Sequence, residues 1–276
     1  MTPPQQVVVI TGASDGIGAE LARQMAQKYG AQCGLVLAAR SADKLEAVAE
    51  VCRSYGAQTL VQALDLRQQA ACRQLIQASL AQWGHIDTLV NNAGVSAHAM
   101  FDEVSVDKLV WYEELMTINF WTTLWCTHEA LPHLLARRGR LVAVSSLAGL
   151  VGVPGRTAYS ATKFAVGGFM EALRTEVEPR GVSVTVAYPG VVATQIRQRG
   201  FNAKGEAAGV SGLREDKAMS VEECAQLILE GMQSRRREVV MTLQGRLGRW
   251  LKLIAPSWVD DLARKALAKQ TSPTTP

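Results

Sequence analysis

Apolar and polar positions follow two regimes along this chain. Short runs of nearly unbroken apolar or β-branched residues recur at VVVI (7–10), LVLAA (35–39), TLVQAL (59–64), DTLV (87–90), RLVAVS (140–145), VSVTVAY (182–188) and EVVMT (238–242). Longer stretches of helical character separate most of them, at 17–28, 43–54, 67–82, 104–135, 159–178 and 221–233. A strand that is apolar on both sides must be covered on both faces, as the strands of parallel sheets are. The pattern predicts a single doubly wound α/β domain of the Rossmann type over residues 1–245. Its sheet is expected to have seven strands, mostly parallel, with helices on both faces and right-handed crossovers. Residues 246–276 read as an amphipathic extension ending in a disordered tail, QTSPTTP.

Composition narrows the setting. The 276 residues can bury a substantial core, and 48% hydrophobic with 20% charged residues is ordinary for a globular chain. The net charge of +4 contains no basic stripe interleaved with aromatics, which argues against a nucleic-acid partner. The five cysteines (33, 52, 72, 126 and 224) are odd in number and form no CxxC pair, so reduced thiols and a cytoplasmic setting are expected rather than a disulfide framework. His128 and His133 are the nearest approach to a ligand pair, and no metal site is expected. No signal peptide is read ahead of the first strand, and no apolar stretch reaches the ~18–20 residues that span a bilayer.

The first chemistry appears directly after the first strand, in TGASDGIG at 11–18. Gly12 permits a tight turn, Gly16 lets backbone approach a pyrophosphate and Gly18 allows close helix packing. The helix that follows offers free N–H groups and a partial positive charge. Ser14, Asp15 and Ile17 complete the loop. Strand followed by glycine loop followed by helix is the context of dinucleotide binding. The second strand ends LVLAARS, with Ala39 where an acid would bond the ribose hydroxyls of NAD, and Arg40 next. A guanidinium suits a phosphate dianion, and Ser14 and Ser41 add hydroxyl donors. NADP(H) is therefore expected, with NAD(H) as the alternative. Asp15, an acid where a base would help, blunts that preference.

The second chemistry is YSATK at 159–163. Positions i and i+4 share a helix face, so Tyr159 and Lys163 stand side by side. A phenol titrates near pH ~10 in water, and a nearby cation lowers that value toward what proton donation to a carbonyl needs. Ser146 ends the strand RLVAVSS, and NNAG at 91–94 follows the fourth strand, both at the sheet's carboxyl edge. Asn119 is a polar residue inside an apolar helical segment, INFWTT, where it caps a kink, holds water or is a satisfied core amide.

TGASDGIG, Asp65 in ALDL, NNAG, Asn119, Ser146, YSATK and PGVVAT, in this order over residues 7 to about 195, resemble the classical short-chain dehydrogenase/reductase (SDR) family. The resemblance implies an oxidoreductase that moves hydride between a nicotinamide cofactor and a ketone, aldehyde or alcohol. It implies that Tyr159 protonates the carbonyl oxygen, that Lys163 lowers its pKa and bonds the nicotinamide ribose, and that Ser146 holds the substrate oxygen. Asn119 would anchor a water linking Lys163 to solvent. Asp65 and Leu66 would face the adenine, and Asn92, Ala93 and Gly94 the adenosine ribose. Pro189, Gly190, Val192 and Thr194 would cradle the nicotinamide. It also implies a homodimer or homotetramer built on 104–135 and 159–178, where Gly167 and Gly168 permit close packing.

Two segments carry the remaining expectations. The Gly- and charge-rich connection 190–220 leaves the carboxyl end of a strand and reads as a lid over the substrate. Phe201, Val210 and Leu213, with Val151, Val153 and Pro154 opposite, suggest a medium-sized hydrophobic substrate, while Arg197, Arg199 and Lys204 leave room for an anionic one. In 246–269, Leu247, Trp250, Leu251 and Ile254 recur at helical spacing beside Arg246, Arg249 and Lys252. A structural role is favoured there, covering the active site or a partner subunit. Peripheral membrane contact is the alternative.

Overall fold

The computed structural model describes residues 3–211 and 218–271. Its strands are β1 (Gln6–Thr11), β2 (Cys33–Ala39), β3 (Gln58–Ala63), β4 (Thr88–Asn91), β5 (Arg140–Val144), β6 (Ser183–Tyr188) and β7 (Glu238–Val240). They form one seven-stranded sheet in the order β3-β2-β1-β4-β5-β6-β7. Every pairing is parallel, so the expected "mostly parallel" sheet is parallel throughout the described residues. The order reverses between β1 and β4, which creates the crevice where ligands of open α/β sheets bind.

The helices are α1 (Gly16–Tyr29), α2 (Ala42–Ser54), α3 (Gln69–Trp83), α4 (Val110–Met116), α5 (Thr122–Arg137), α6 (Thr157–Val177), α7 (Val221–Gln233), α8 (Leu243–Ile254) and α9 (Pro256–Thr271). Side chains alternate along each strand, so one strand feeds two cores. Val8 and Ile10 of β1 pack with Leu21 and Met25 of α1, Leu45 of α2 and Ile228 of α7. Val7 and Val9 pack on the other face with Leu75 of α3, Leu134 of α5 and Met170 of α6. The five cysteines are buried and free, and behave as small core residues.

One expected element is broken. The stretch 104–135 holds one short 3-10 turn (Val106–Lys108), α4, a π-helical turn at Thr117–Trp121 and α5. The break sits on Asn119, which is 1% exposed. Its amide donates to the Val95 carbonyl at 3.0 Å and accepts from the Val95 N–H at 2.8 Å. Drawing that side chain toward another segment is served by one residue of helical slack, and π-turns of this kind occur often at functional sites.

The connection 190–220 is ordered where described. Isolated bridges join Val192 to Met219 and Ala97 to Phe201. Leu213 lies outside the described residues, as does most of the tail QTSPTTP, whose first two residues end α9. Among the described residues, no helix is long and apolar enough to cross a membrane, and no group of three or more His, Cys, Asp or Glu is placed to hold a metal ion.

Candidate active site

Six strand ends deliver the candidate residues to one edge of the sheet. Gly12 follows β1, Arg40 follows β2, Asp65 follows β3, Asn92 follows β4, Ser146 follows β5 and Pro189 follows β6. At the phosphate end, Gly12 has φ +67° and a Cβ there would lie 2.9 Å from Ala93 Cα. A Cβ on Gly18 would lie 2.4 Å from the Gly12 carbonyl oxygen. The loop is stapled from below by Asn92, whose amide donates to the carbonyls of Thr11 at 3.0 Å and Gly12 at 3.1 Å. Thr11 Oγ1 in turn accepts from the N–H groups of Asn92 and Ala93, both at 3.0 Å. NNAG therefore sets the shape of the glycine loop.

Asp15 caps α1, accepting from the Gly16 N–H at 2.7 Å, and pairs with Arg199 of the connection 190–220 at 2.8 Å. Burial pushes its carboxyl up, but the Arg199 and Gly16 hydrogen bonds and the Arg199 and Lys44 charges outweigh that and hold it below the ordinary value. The acid that weakened the phosphate assignment thus carries its own counter-cation. Thr194 lies against the same loop, its methyl 3.2 Å from where a Cβ on Gly16 would be. Arg40 is exposed and makes no ion pair among the described residues. Ser41 precedes α2 without a side-chain cap bond, so its hydroxyl remains free of the helix. Ser14 is half-buried, and Ile17 packs partly against the core. Asp65 is gripped by Arg67, with Nη2 to Oδ2 at 2.6 Å. Leu66 is 5% exposed, and its side chain belongs to the core under α3.

At the reacting end, Tyr159 and Lys163 are buried one turn apart on α6. The Lys163 ammonium lies 5.7 Å from the Tyr159 ring centroid and donates to the Val144 carbonyl at 3.0 Å. Ser146 Oγ accepts weakly from Ala148 N–H at 3.3 Å and shares a hydrogen bond with the Tyr159 side chain. Burial alone would push the Tyr159 phenol up. The charges of Lys163 and Arg156, the Ser146 hydrogen bond and the charge of Arg197 together outweigh it, leaving Tyr159 below the ordinary phenol value. Burial lowers Lys163, with the Tyr159 charge opposing and Arg156 adding to the fall.

Asn119 belongs to this cluster, and its side-chain amide is satisfied by Val95 and by Thr162 Oγ1 at 3.0 Å. Gly94 leaves the space between it and Lys163. A Cβ there would stand 3.0 Å from Asn119 Oδ1 and 3.6 Å from Lys163 Nζ. Behind the nicotinamide position expected from the resemblance, Val192 is buried, Pro189 accepts from the Leu147 N–H at 2.9 Å, and a Cβ on Gly190 would meet Thr242 at 3.0 Å. Over Tyr159 lies an apolar cluster in which Trp111, Val153 and Phe201 take part. Val210 is 71% exposed and takes no share in that wall.

A family model described as short chain dehydrogenase matches residues 6–205. The chain belongs to the short-chain dehydrogenase/reductase family. An "11-beta-hydroxysteroid dehydrogenase" of Pinus massoniana is 36% identical over 85% of this chain and 66% of its own, so this chain spans about two thirds of that relative. An "11-beta-hydroxysteroid dehydrogenase A" of Sesamum indicum is 36% identical over 92% of this chain and 74% of its own. A "Dehydrogenase/reductase SDR family protein 7-like" of Dictyostelium discoideum is 31% identical over 94% and 81%. A solved alcohol dehydrogenase of Thermococcus sibiricus, complexed with 5-hydroxy-NADP, shares the fold at TM-score 0.71 and 24% identity, over 85% of this chain and 94% of that one. This SDR is accordingly an oxidoreductase acting at hydroxyl or carbonyl groups.

Sequence reasoning missed several members of the site. Trp111 and Tyr112 come from α4, with ring centroids 4.3 Å apart, and Tyr112 shares a hydrogen bond with Thr157 at 2.8 Å. Arg156 lies over the Tyr159 ring. The WY pair at 111–112 and an arginine one turn before the tyrosine were the available signals.

Proposed function

We propose that this protein is an NADP(H)-dependent carbonyl reductase or alcohol dehydrogenase, acting on a medium-sized hydrophobic ketone, aldehyde or alcohol. The observation that carries this reading is the buried Tyr159, with Lys163 and Ser146 beside it and an apolar wall of Trp111, Val153 and Phe201 over it. The names of the pine and sesame relatives agree with an apolar, ring-containing substrate class.

The residues present fit a nicotinamide dinucleotide. Gly12, Gly16 and Gly18 put no side chain between the loop backbone and a pyrophosphate, and the exposed Arg40 and the uncapped Ser41 would read a 2′-phosphate. The bound cofactor supplies or accepts the hydride. Tyr159 would donate its proton to the substrate oxygen in reduction and take one back in oxidation. Ser146 would hold that oxygen by a second hydrogen bond, where negative charge grows. Lys163 would keep the phenolate accessible and, with donors beyond the Val144 bond, bind the ribose hydroxyls. Asn119, at the π-turn, would hold the backbone around a proton path from Lys163. The apolar wall would exclude water and orient the substrate.

The test is NADPH consumption against aldehydes, quinones, 3-oxoacyl thioesters and cyclic ketones. Turnover is expected on apolar cyclic or aromatic carbonyls. Turnover confined to small polar or highly charged carbonyls would overturn the substrate class, and faster turnover with NADH would overturn the cofactor.

The C-terminal helices favour a second property, peripheral membrane contact from the cytoplasmic side. On α8, Arg249 pairs with Glu238, Arg246 donates to the Val240 carbonyl and Lys252 donates to the Leu150 carbonyl. The cations thus bind inward, while Leu247, Trp250, Leu253 and Ile254 are 60% exposed or more. Trp258 and Leu262 of α9 extend that apolar face. Co-sedimentation with liposomes should fall when residues 246–276 are removed, and equal binding by both forms would exclude this role. The oligomer expected through α5 and α6 rests on the resemblance and on Gly168, whose surroundings are open. Sedimentation velocity decides it.

A further inference from the structure

Arg156 is placed against the ordinary rules of stability. It is the N-cap residue of α6, where a positive dipole end disfavours a cation and where Ser, Thr, Asp or Asn would bond the free N–H groups. Its side chain makes no cap bond. It is half-buried, and no carboxylate pairs with it among the described residues. Burying a guanidinium without a counter-anion is costly.

The side chain is nevertheless held in one place. Nη2 donates to Ser96 Oγ at 2.6 Å, and Nε donates to the Ala97 carbonyl at 3.3 Å. The backbone repeats the tie, with Ala99 N–H donating to the Gly155 carbonyl at 2.8 Å. Held from that side, the guanidinium carbon stands 4.2 Å from the Tyr159 ring centroid, nearer than the 5.7 Å of the Lys163 ammonium. A planar cation on the ring face is attracted to a neutral phenol and more strongly to a phenolate, whose ring carries more electron density.

We propose that Arg156 is a positioning residue for Tyr159, fixing the plane of its ring and acting with Lys163 to stabilise its phenolate form. This rests on the reading of Tyr159 as the acid–base group. Two cations then serve one tyrosine in different ways. Lys163 stands one turn along the same helix and donates to the Val144 carbonyl, whereas Arg156, anchored on Ser96 and Ala97, covers the ring face. The loop segment 96–97, just beyond NNAG, becomes the anchor that connects the cofactor-binding edge to the reacting tyrosine.

Among the described residues, the charged and titratable groups around Tyr159 are few. Lys163 and Arg156 lie on its own helix, and Arg197 reaches it from the lid, held by Ser211 Oγ at 3.0 Å and the Val192 carbonyl at 2.9 Å. His98, on the 96–99 segment, is coupled to Arg156 and is pushed down by burial and by that charge, with Glu103 opposing. Tyr112 on α4 is engaged with Thr157.

The experiment needs no substrate. Tyrosinate absorbance is followed against pH in the full-length protein, and the Tyr159→Phe titration is subtracted to isolate Tyr159. Arg156→Gln should raise the Tyr159 midpoint by about one pH unit, and Arg156→Lys should recover part of that shift, keeping the charge without the planar stack. Ser96→Ala, which keeps Arg156 but frees its guanidinium, should give a smaller shift in the same direction. It serves also if Arg156→Gln does not fold. A fall in Tm with no movement of the Tyr159 midpoint in any variant would assign Arg156 a structural role and overturn the inference. Turnover separates the two claims. If Tyr159→Phe turns over as fast as the parent, the acid–base reading fails, whatever Arg156 does to the titration.

Discussion

The two ends of this active-site cleft are built from different materials. At the phosphate end the work is done by backbone and by missing side chains, with Gly12 and Gly18 packed against backbone and Asn92 stapling the loop from beneath. At the reacting end it is done by charged side chains, the buried Lys163 and the half-buried Arg156, gathered around one phenol. On the proposed reading, the first end would recognise a shape and tolerate no added atom, and the second would set a proton affinity and depend on charge more than on volume. The connection 190–220 touches both, through Arg199 on Asp15 and Arg197 near Tyr159.

The sharpest break of that contrast is Gly18→Ala. Its methyl would have to occupy space 2.4 Å from a carbonyl oxygen and 2.5 Å from the Asn92 amide nitrogen. A loss of about 3 kcal/mol of stability is expected, together with loss of cofactor binding, because one neighbour is backbone and the other is an amide pinned by two hydrogen bonds. Thermal unfolding and cofactor fluorescence would measure it. An unchanged Tm would mean the loop is softer than its packing implies.

A milder break removes a charge from the phosphate end. Arg40→Ala should weaken NADPH binding roughly ten- to a hundredfold and leave NADH nearly unchanged, as expected for one charge-assisted contact with a phosphate. Equal loss for both cofactors, or none for either, would place the 2′-phosphate reader elsewhere. The smallest effect is expected at Arg199→Ala. The Asp15–Arg199 pair is exposed, with side-chain exposures of 44% and 48%, and such pairs contribute at most about 1 kcal/mol. A weakening of NADPH binding of about fivefold or less is expected, larger at low salt because Asp15 then faces the phosphates unpaired.

The phosphate end was the more legible of the two. Strand periodicity gave the sheet, and TGASDGIG carries its glycines within eight residues, so the loop is specified by local spacing. The Tyr159–Lys163 pair was legible for the same reason, being one helical turn. What escaped is long-range. Arg156 reaches Ser96 across sixty positions, and Arg199 meets Asp15 across some 180. Asn92 was expected beside a ribose and is found holding carbonyls of the glycine loop, a contact across some eighty residues. The helix drawn through 104–135 failed at Asn119, because the sequence shows apolar periodicity but not the Val95 backbone that claims the amide.

The most direct test of the central claim is the rate of alcohol oxidation against pH, for the parent and for Tyr159→Phe, on the best substrate of the carbonyl panel. Oxidation requires the phenolate, so the parent rate should rise with pH and level off with a midpoint below the ordinary phenol value near ~10. Tyr159→Phe should fall by roughly 10²- to 10⁴-fold and lose that rise. A Tyr159→Phe variant that keeps both the rate and the rise would show that another group carries the proton, and the account of this site would be wrong.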